Sequence, residues 1–209
     1  MPITGSARTG FGISLLPLTP WRAVPALFRG PTMANPNKAK GTAWESAVRD
    51  YLNQFLGLVD ETGTFINPMN GANVRRAAQE GAKDVGDIHA APFVLEAKNT
   101  RTPAVPTWIR QAEVEARHAG FPFGVVVRKV RGSSVAMGRV HVSVRTWTRM
   151  RLACGMPADE FAALYGWSVS LRGLDTSRWY LTTTMRDFAH LVGDYRRNVP
   201  SGVSERAVR

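Results

Sequence analysis

Asp87, Glu96 and Lys98 are residues whose types and spacing can do chemistry. They lie in Gly86–Lys98, GDIHAAPFVLEAK, which otherwise has the apolar, β-prone character of core strand. An unpartnered carboxylate there costs several kcal/mol, so something must offset it. Ala91 and Pro92 stand midway, and a hairpin turning about them pairs residues whose numbers total 183. In that register His89 opposes Val94 and Asp87 opposes Glu96, and two carboxylates project side by side. Pro92 argues against a two-residue primed turn, which needs positive φ, whereas a four-residue loop about the same midpoint keeps the register. Like charges opposite one another destabilise a sheet, and a divalent cation between them removes the conflict. Glu96 and Lys98 are two apart and share this face, while Phe93, Leu95 and Ala97 point into the core. An ammonium beside the carboxylates can hold and polarise a water or neutralise charge developing on a phosphate. Oxygen ligands without cysteine or clustered histidine favour Mg2+ or Mn2+ over zinc. The expected chemistry is phosphodiester cleavage. Taken singly the residues have plainer readings, since an Asp beside Gly86 suits a turn and an E-x-K pair suits a solvated edge. His89 shares the face of Asp87 and reads as a structural or nucleic-acid contact.

The elements that must position these residues follow from periodicity. Trp44, Val48, Tyr51, Leu52 and Phe55 recur at helical spacing, which predicts a helix over 42–56 closed near Gly57. Thr42 and Glu45 fit a capping box at its start; the competing reading carries the Glu45 carboxylate from this helix to the metal site. A Gly/Asn-rich loop leads to strands at Val74–Ala78, Val85–His89 and Phe93–Lys98. Pro106 and Thr107 start a second helix bearing Trp108, Ile109, Ala112 and Ala116, and Gly120 ends it. Phe123–Val130 is a strand whose VVV centre suits cover on both faces. The order is helix, three strands, helix, strand. Beyond it, Val140, Val142 and Val144 alternate like a strand, Pro157–Tyr165 forms a short helix and Trp179–Thr182 a strand. Thr184 caps a last helix, with Asp187 three residues on.

The chain of 209 residues is expected to hold one domain, over 39–192. Hydrophobic residues make up 44% and charged residues 21%, enough for a packed core. The excess of 27 Lys+Arg over 16 Asp+Glu, net +11, points to a polyanionic partner, nucleic acid before membrane. Arg75, Arg76, Lys83, Arg128, Lys129 and Arg131 flank the acidic strands and are the expected phosphate contacts. Alternation forbids Arg75 and Arg76 from both facing DNA, so one pairs with a protein acid. Cys154 is the lone cysteine, which excludes an intrachain disulfide or a thiolate zinc cluster and suits a reducing, cytoplasmic compartment. No apolar run is long enough to span a bilayer. Residues 1–38, acid-free and Pro/Gly-rich, are expected to be disordered, with Met33 as an alternative start. Residues 193–209 are expected to be a flexible basic tail.

Glu45 on the first helix, Asp87, and Glu96-Ala97-Lys98 as E-x-K resemble the PD-(D/E)XK nuclease superfamily. The resemblance implies a restriction-endonuclease-like α/β core, αβββαβ, with a mixed central sheet flanked by helices. Gly86 stands where the motif has proline, a position that varies in the superfamily. RRAAQEGAKDVGDI followed by FVLEAKN is similar to the archaeal-type Holliday junction resolvases, especially small versions encoded by actinobacterial phages. The resemblance covers about 38–132 and resumes at Trp179-Tyr180-Leu181-Thr182, so that 133–178 reads as an insertion. It implies that Asp87, Glu96 and the Ala97 carbonyl bind Mg2+, that Glu45 completes the site, and that Lys98 positions the attacking water. Gln111 matches a supporting polar position of the family, or is an exposed helix residue. The implied reaction is in-line hydrolysis of branched DNA leaving 5′-phosphate and 3′-hydroxyl ends. It also implies a symmetric homodimer, for which Trp179, Tyr180, Phe188 and Val192 are the apolar contact candidates. Other functions to weigh are a restriction- or repair-type duplex endonuclease on the same core, and a DNA-binding module without catalysis.

Overall fold

A computed structural model describes residues 36–77, 84–171 and 173–199 of the chain. The central motif is the hairpin. Strand β2 (Ile88–Ala90) runs antiparallel to β3 (Phe93–Lys98) with Ile88 opposite Leu95, His89 opposite Val94 and Ala90 opposite Phe93. This is the register expected from the sequence. The connection, however, is Ala91–Pro92 alone, with a cis peptide between them, instead of the expected four-residue loop. A cis proline at the third position of a turn closes the strands without a positive φ. Asp87 lies just before β2 and still joins the ladder, its N–H donating to the Leu95 carbonyl at 3.2 Å and its own carbonyl accepting from Ala77 at 2.9 Å.

Around the hairpin stand α1 (Pro36–Phe55), β1 (Arg75–Arg76), α2 (Val105–His118) and β4 (Phe123–Arg128). The chain continues through β5 (Arg139–Ser143), α3 (Val144–Ala153), α4 (Ala158–Leu164), β6 (Ser168–Ser170), β7 (Tyr180–Thr184) and α5 (Met185–Asn198). The sheet is seven-stranded and mixed, in the order β1-β2-β3-β4-β5-β7-β6, with β3 and β4 parallel and the other neighbours antiparallel. Its first six elements follow the order helix, three strands, helix, strand, compatible with a restriction-endonuclease-like core. No helix among the described residues is long and apolar enough to cross a membrane.

The sheet has two unequal faces. On one, Trp44, Val48 and Leu52 of α1 pack with Leu95, Val125, Val127, Val140 and the α5 residues Phe188 and Leu191. On the other, Val105, Trp108, Ile109 and Ala112 of α2 cover only Val126 and Tyr180. Neighbouring positions of β4 thus enter opposite cores, which is why its VVV run is continuous. Gly124 lets α2 come this close: a Cβ there would meet the Ala112 carbonyl oxygen at 2.2 Å.

Several boundaries differ from expectation. Helix α1 starts at Pro36 rather than 42, because its first turns are polar and show no apolar period; proline suits a helix's opening positions. Thr42 is therefore inside the helix, and its capping box with Glu45 does not exist. The segment 133–178 is no appendage. It supplies β5, which sits between β4 and β7, although Val144, expected to extend that strand, begins α3. Helix α5 carries the fold past residue 193 to Asn198, with Gly193 and Tyr195 buried. Arg196 is pinned inside, donating to the Ala91 carbonyl at 2.8 Å and the Ala72 carbonyl at 3.0 Å. Tyr180, Phe188 and Val192 are consumed by the protein's own core, so they offer no contact surface. Trp179 is half-buried and donates to the Gly173 carbonyl at 3.0 Å. The leader up to residue 35, Lys83 and residues 200–209 lie outside the described residues.

Buried Asn53 on α1 holds β1 in place. Its amide donates to the Val74 carbonyl at 2.8 Å and its side-chain oxygen accepts from the Val74 N–H at 2.9 Å, completing both polar groups of a backbone with no strand beside it there. Asn53→Leu leaves both unpaired and is expected to cost about 2–6 kcal/mol, at 1–3 for each stranded group. Chemical denaturation measures this, and a loss well under 1 kcal/mol would mean that water replaces the clamp.

Candidate active site

Four elements converge on the acidic hairpin. Glu96, buried on β3, and Lys98, two residues on, face α2. Lys98 Nζ donates to Glu96 Oε1, and Gln111 Nε2 from α2 donates to the same oxygen at 3.0 Å. Gln111 Oε1 lies 3.5 Å from Lys98 Nζ, so one helix amide ties the carboxylate to the ammonium. Asp87 reaches across from the neighbouring strand, its Oδ2 accepting from the Ala97 N–H at 2.7 Å. Glu96 lies close enough to Asp87 for its charge to act on that carboxyl.

Electrostatics register the crowding. Burial, then the Glu96 charge, pushes Asp87 from its ordinary 3.8 to about 7, against the opposing pull of the Ala97 N–H. Glu96 is likewise raised to about 7, first by burial; the Lys98 hydrogen bond acts against this and the Glu115 charge adds to it. Two coupled carboxylates therefore titrate near neutrality, a condition that structures reserve mostly for functional sites.

Glu115 was not singled out from the sequence. It is almost wholly buried on α2, and neither carboxylate oxygen has a hydrogen-bond partner of good geometry among the described residues. Gln111 and Glu96 come near enough to lower its pKa, but burial outweighs them and the net shift is upward. The signal was available, since Glu115 stands four residues from Gln111 and between Ala112 and Ala116 in the buried stripe of the helix.

The backbone at Gly86 requires glycine. Its φ is +82°, and an added Cβ would lie 2.4 Å from Val94 Cγ1 and 3.4 Å from Glu115 Oε2. Gly86→Ala should therefore destabilise the fold by roughly 2–4 kcal/mol, from forced left-handed backbone and overpacking together. A thermal melt checks this, and an unchanged midpoint would show that the Asp87 approach is loosely built.

Glu45 comes close enough to raise the Asp87 pKa, but its Oε2 pairs with Arg76 Nη2 at 2.5 Å. Arg76 is thus the member of its pair that meets a protein acid. Arg75 donates to the Pro68 carbonyl and lies over the Phe65 ring at 4.9 Å. Both arginines wall a cleft of about 830 Å3 between α1 and the 59–65 loop. On β4, Arg128 is half-buried beside Lys98; Lys129 lies over the Trp44 ring at 5.6 Å, and Arg131 is exposed in a turn. His89 Nε2 donates to the Val85 carbonyl, 2.8 Å away, and the ring packs on Phe121, a structural role.

The donor set can be tested against a metal. Among the described residues no three acidic, histidine or cysteine side chains form a ready cage. Mg2+ needs none, since it keeps several waters and uses only one or two carboxylates. Asp87, Glu96 and the Ala97 carbonyl supply hard oxygens, and the partnerless Glu115 carboxylate beside them is a buried charge that a cation would offset. The residues fit Mg2+ or Mn2+. No family model, curated protein or solved structure matches the chain.

Proposed function

We propose that this protein is a Mg2+-dependent, structure-selective DNA endonuclease that acts on branched DNA in the manner of a Holliday junction resolvase. The observation that carries the reading is the convergence of Asp87 and Glu96 from adjacent strands beside Lys98, with both carboxyls held near pKa 7. A fold tolerates such a pair where a cation and a reaction repay its cost. The branched substrate and the homodimer rest on the family resemblance.

In this reading Asp87, Glu96 and the Ala97 carbonyl hold the ion, with Mn2+ as substitute. Bound there, it polarises the phosphate and lowers the pKa of a water. Lys98 orients that water and meets the charge developing on phosphorus. Gln111 keeps Lys98 and Glu96 in register. Glu45, braced by Arg76, supplies negative potential at the rim. Water attacks phosphorus in line, the bond to the 3′ oxygen breaks, and that oxygen leaves as a hydroxyl opposite a 5′-phosphate. The basic chain, net +11, supplies the phosphate contacts.

Purified protein with Mg2+ is expected to nick a synthetic four-way junction at symmetric positions and to keep doing so against excess linear duplex. Ca2+ should support binding without turnover. Full cleavage in EDTA removes the metal from the reading, and equal cleavage of the duplex turns it toward a restriction- or repair-type enzyme.

A further inference from the structure

One cation-lined cavity lies beyond the acidic hairpin on the same sheet face. It has a volume of about 500 Å3 and is bounded by the start of α2, the end of β4, the middle of β5, the start of β7, and a 3₁₀ turn at Thr176–Arg178. Arg110, Arg128 and Arg178 line it, against one carboxylate, Asp175. Among the described residues none of the three arginines is in an ion pair. Asp175 is occupied as a cap, accepting from the Ser177 N–H at 3.0 Å.

Two further features turn this from a basic surface into a built receptor. His141 is 5% exposed and lines the cavity, yet its Nε2 has no partner among the described residues. Its Nδ1 is committed to Thr182 Oγ1 at 2.9 Å, and the ring is fixed edge-on to Tyr180. Burial and the charges of Arg128 and Arg139 hold His141 down to about 4, so at neutral pH the imidazole is uncharged. The Nε2 of Tyr-braced His141 can then donate one hydrogen bond without a charge of its own to satisfy. Arg128 Nε is likewise buried, with no partner among the described residues. Second, the 14-residue helix α2 opens at this cavity with Ala104 at its N-cap and no side-chain cap, which leaves the positive end of its dipole uncovered.

Register fixes where such a receptor stands relative to the chemistry. Lys98, Arg128 and Arg139 are cross-strand neighbours on β3, β4 and β5. Adjacent strands are about 4.8 Å apart, so Arg128 stands one strand from the lysine assigned to the reaction. Glu96, Val126 and His141 form the next row inward on the same face. The cavity therefore lies beside the acidic pair, across Arg128.

From this we propose that the cavity bounded by Arg110, Arg128, His141, Arg178 and the α2 N-terminus binds a backbone phosphate flanking the scissile one. The inference rests on the DNA-cleavage reading and adds to it a second anchor that sets the strand's register over Asp87 and Glu96. Arg178 and Arg110 bring charge from two separate elements, and the unpartnered His141 nitrogen and Arg128 Nε provide fixed donors between them. A phosphate held here cannot slide, because its neighbour is then confined to the metal pair.

The test pairs protein variants with neutral phosphates. Arg110→Gln and Arg178→Gln, both exposed positions, are made singly and together, with exposed Arg186→Gln on α5 as control; thermal melts confirm that each folds. Binding to a four-way junction is measured in Ca2+ over a salt series. The double variant is expected to bind roughly tenfold more weakly with a salt slope lower by about 1, and Arg186→Gln to change neither by as much. Methylphosphonates are then placed one at a time within a few nucleotides of the cut. At one position the neutral linkage should weaken wild type and leave the double variant unaffected. If the two losses add at every position while wild type still binds and cleaves, the pocket proposal is overturned and the nuclease reading stands. If wild type neither binds nor cleaves DNA, both fall. Inorganic phosphate titrated against the His141 imidazole resonances separates the remaining source. Saturation by free phosphate with no effect of the double variant on DNA affinity makes this a free-anion site and overturns the proposal.

Discussion

Asp87→Asn is expected to lower Mg2+-dependent cleavage by at least about 10³-fold while raising the thermal stability of the metal-free protein. The two effects have one cause. Asp87 is held at about 7 by burial and by the Glu96 charge, so ionising it costs the fold free energy at neutral pH. Asparagine removes the charge, and its side-chain oxygen can still accept from the Ala97 N–H that Asp87 now uses. Under the proposed function the same change would remove a ligand from the ion and should leave junction binding intact or tighter, because a negative charge near the phosphate would be gone. Glu96→Gln should match the loss of cleavage with a smaller stability gain, since it also breaks the Glu96–Lys98 pair. Lys98→Met confounds the comparison by stranding a buried carboxylate. Cleavage rate, junction affinity and melting midpoint are read on the same preparations. A variant that loses binding and midpoint together would show that Asp87 is structural and that no reaction pays for its placement.

Some of this site was open to reading from residue order alone. The hairpin register needed only the midpoint at Ala91–Pro92 and the two-residue period of a strand, and both survive even though the turn is tighter than expected. The face shared by Glu96 and Lys98 follows from the same period. What period-counting misses is what long-range contact decides. The pairing of Arg76 with Glu45 spans 31 residues, next to where Asn53 holds the Val74 backbone against α1. Glu115 was hidden by a different effect, because a carboxylate in an apolar stripe is discounted as a break in the pattern when it is in fact the pattern's inward-facing member. The second half of the sheet was obscured because β5 is short and leads straight into α3, so Val144 looked like a continuing alternation. Arg196 lay in a stretch whose charge read as a tail, and only the fold shows that the distant Ala91 and Ala72 carbonyls needed a donor.

Metal-free protein should lose stability as pH rises toward neutrality, and Mg2+ should restore it only where the acids are ionised. Asp87 and Glu96 have ordinary values of 3.8 and 4.5 and stand near 7 in the fold. Between those limits the folded state holds protons that the unfolded chain has released, so the slope of stability against pH is negative; above about 7 both penalties are complete. His141 acts in the opposite sense, because its folded value of about 4 lies below 6.5 and its contribution is lost as pH falls between them. Comparing wild type with Asp87→Asn cancels the histidine and leaves Asp87 with its coupling to Glu96. The difference between their midpoints, measured in EDTA, should be several degrees at pH 8 and shrink steadily toward pH 5. The protons leave as a coupled pair, so the decline is broad. Mg2+ must displace those protons to bind, and its apparent affinity should fall up to tenfold per pH unit for each proton released as pH drops below 7. Its stabilisation of wild type should therefore be large at pH 8, small at pH 5, and absent from Asp87→Asn throughout. A Mg2+ shift of equal size at both pH values would place the ion at some other group, and a difference in EDTA that does not vary with pH would mean that the two carboxylates do not share a buried charge.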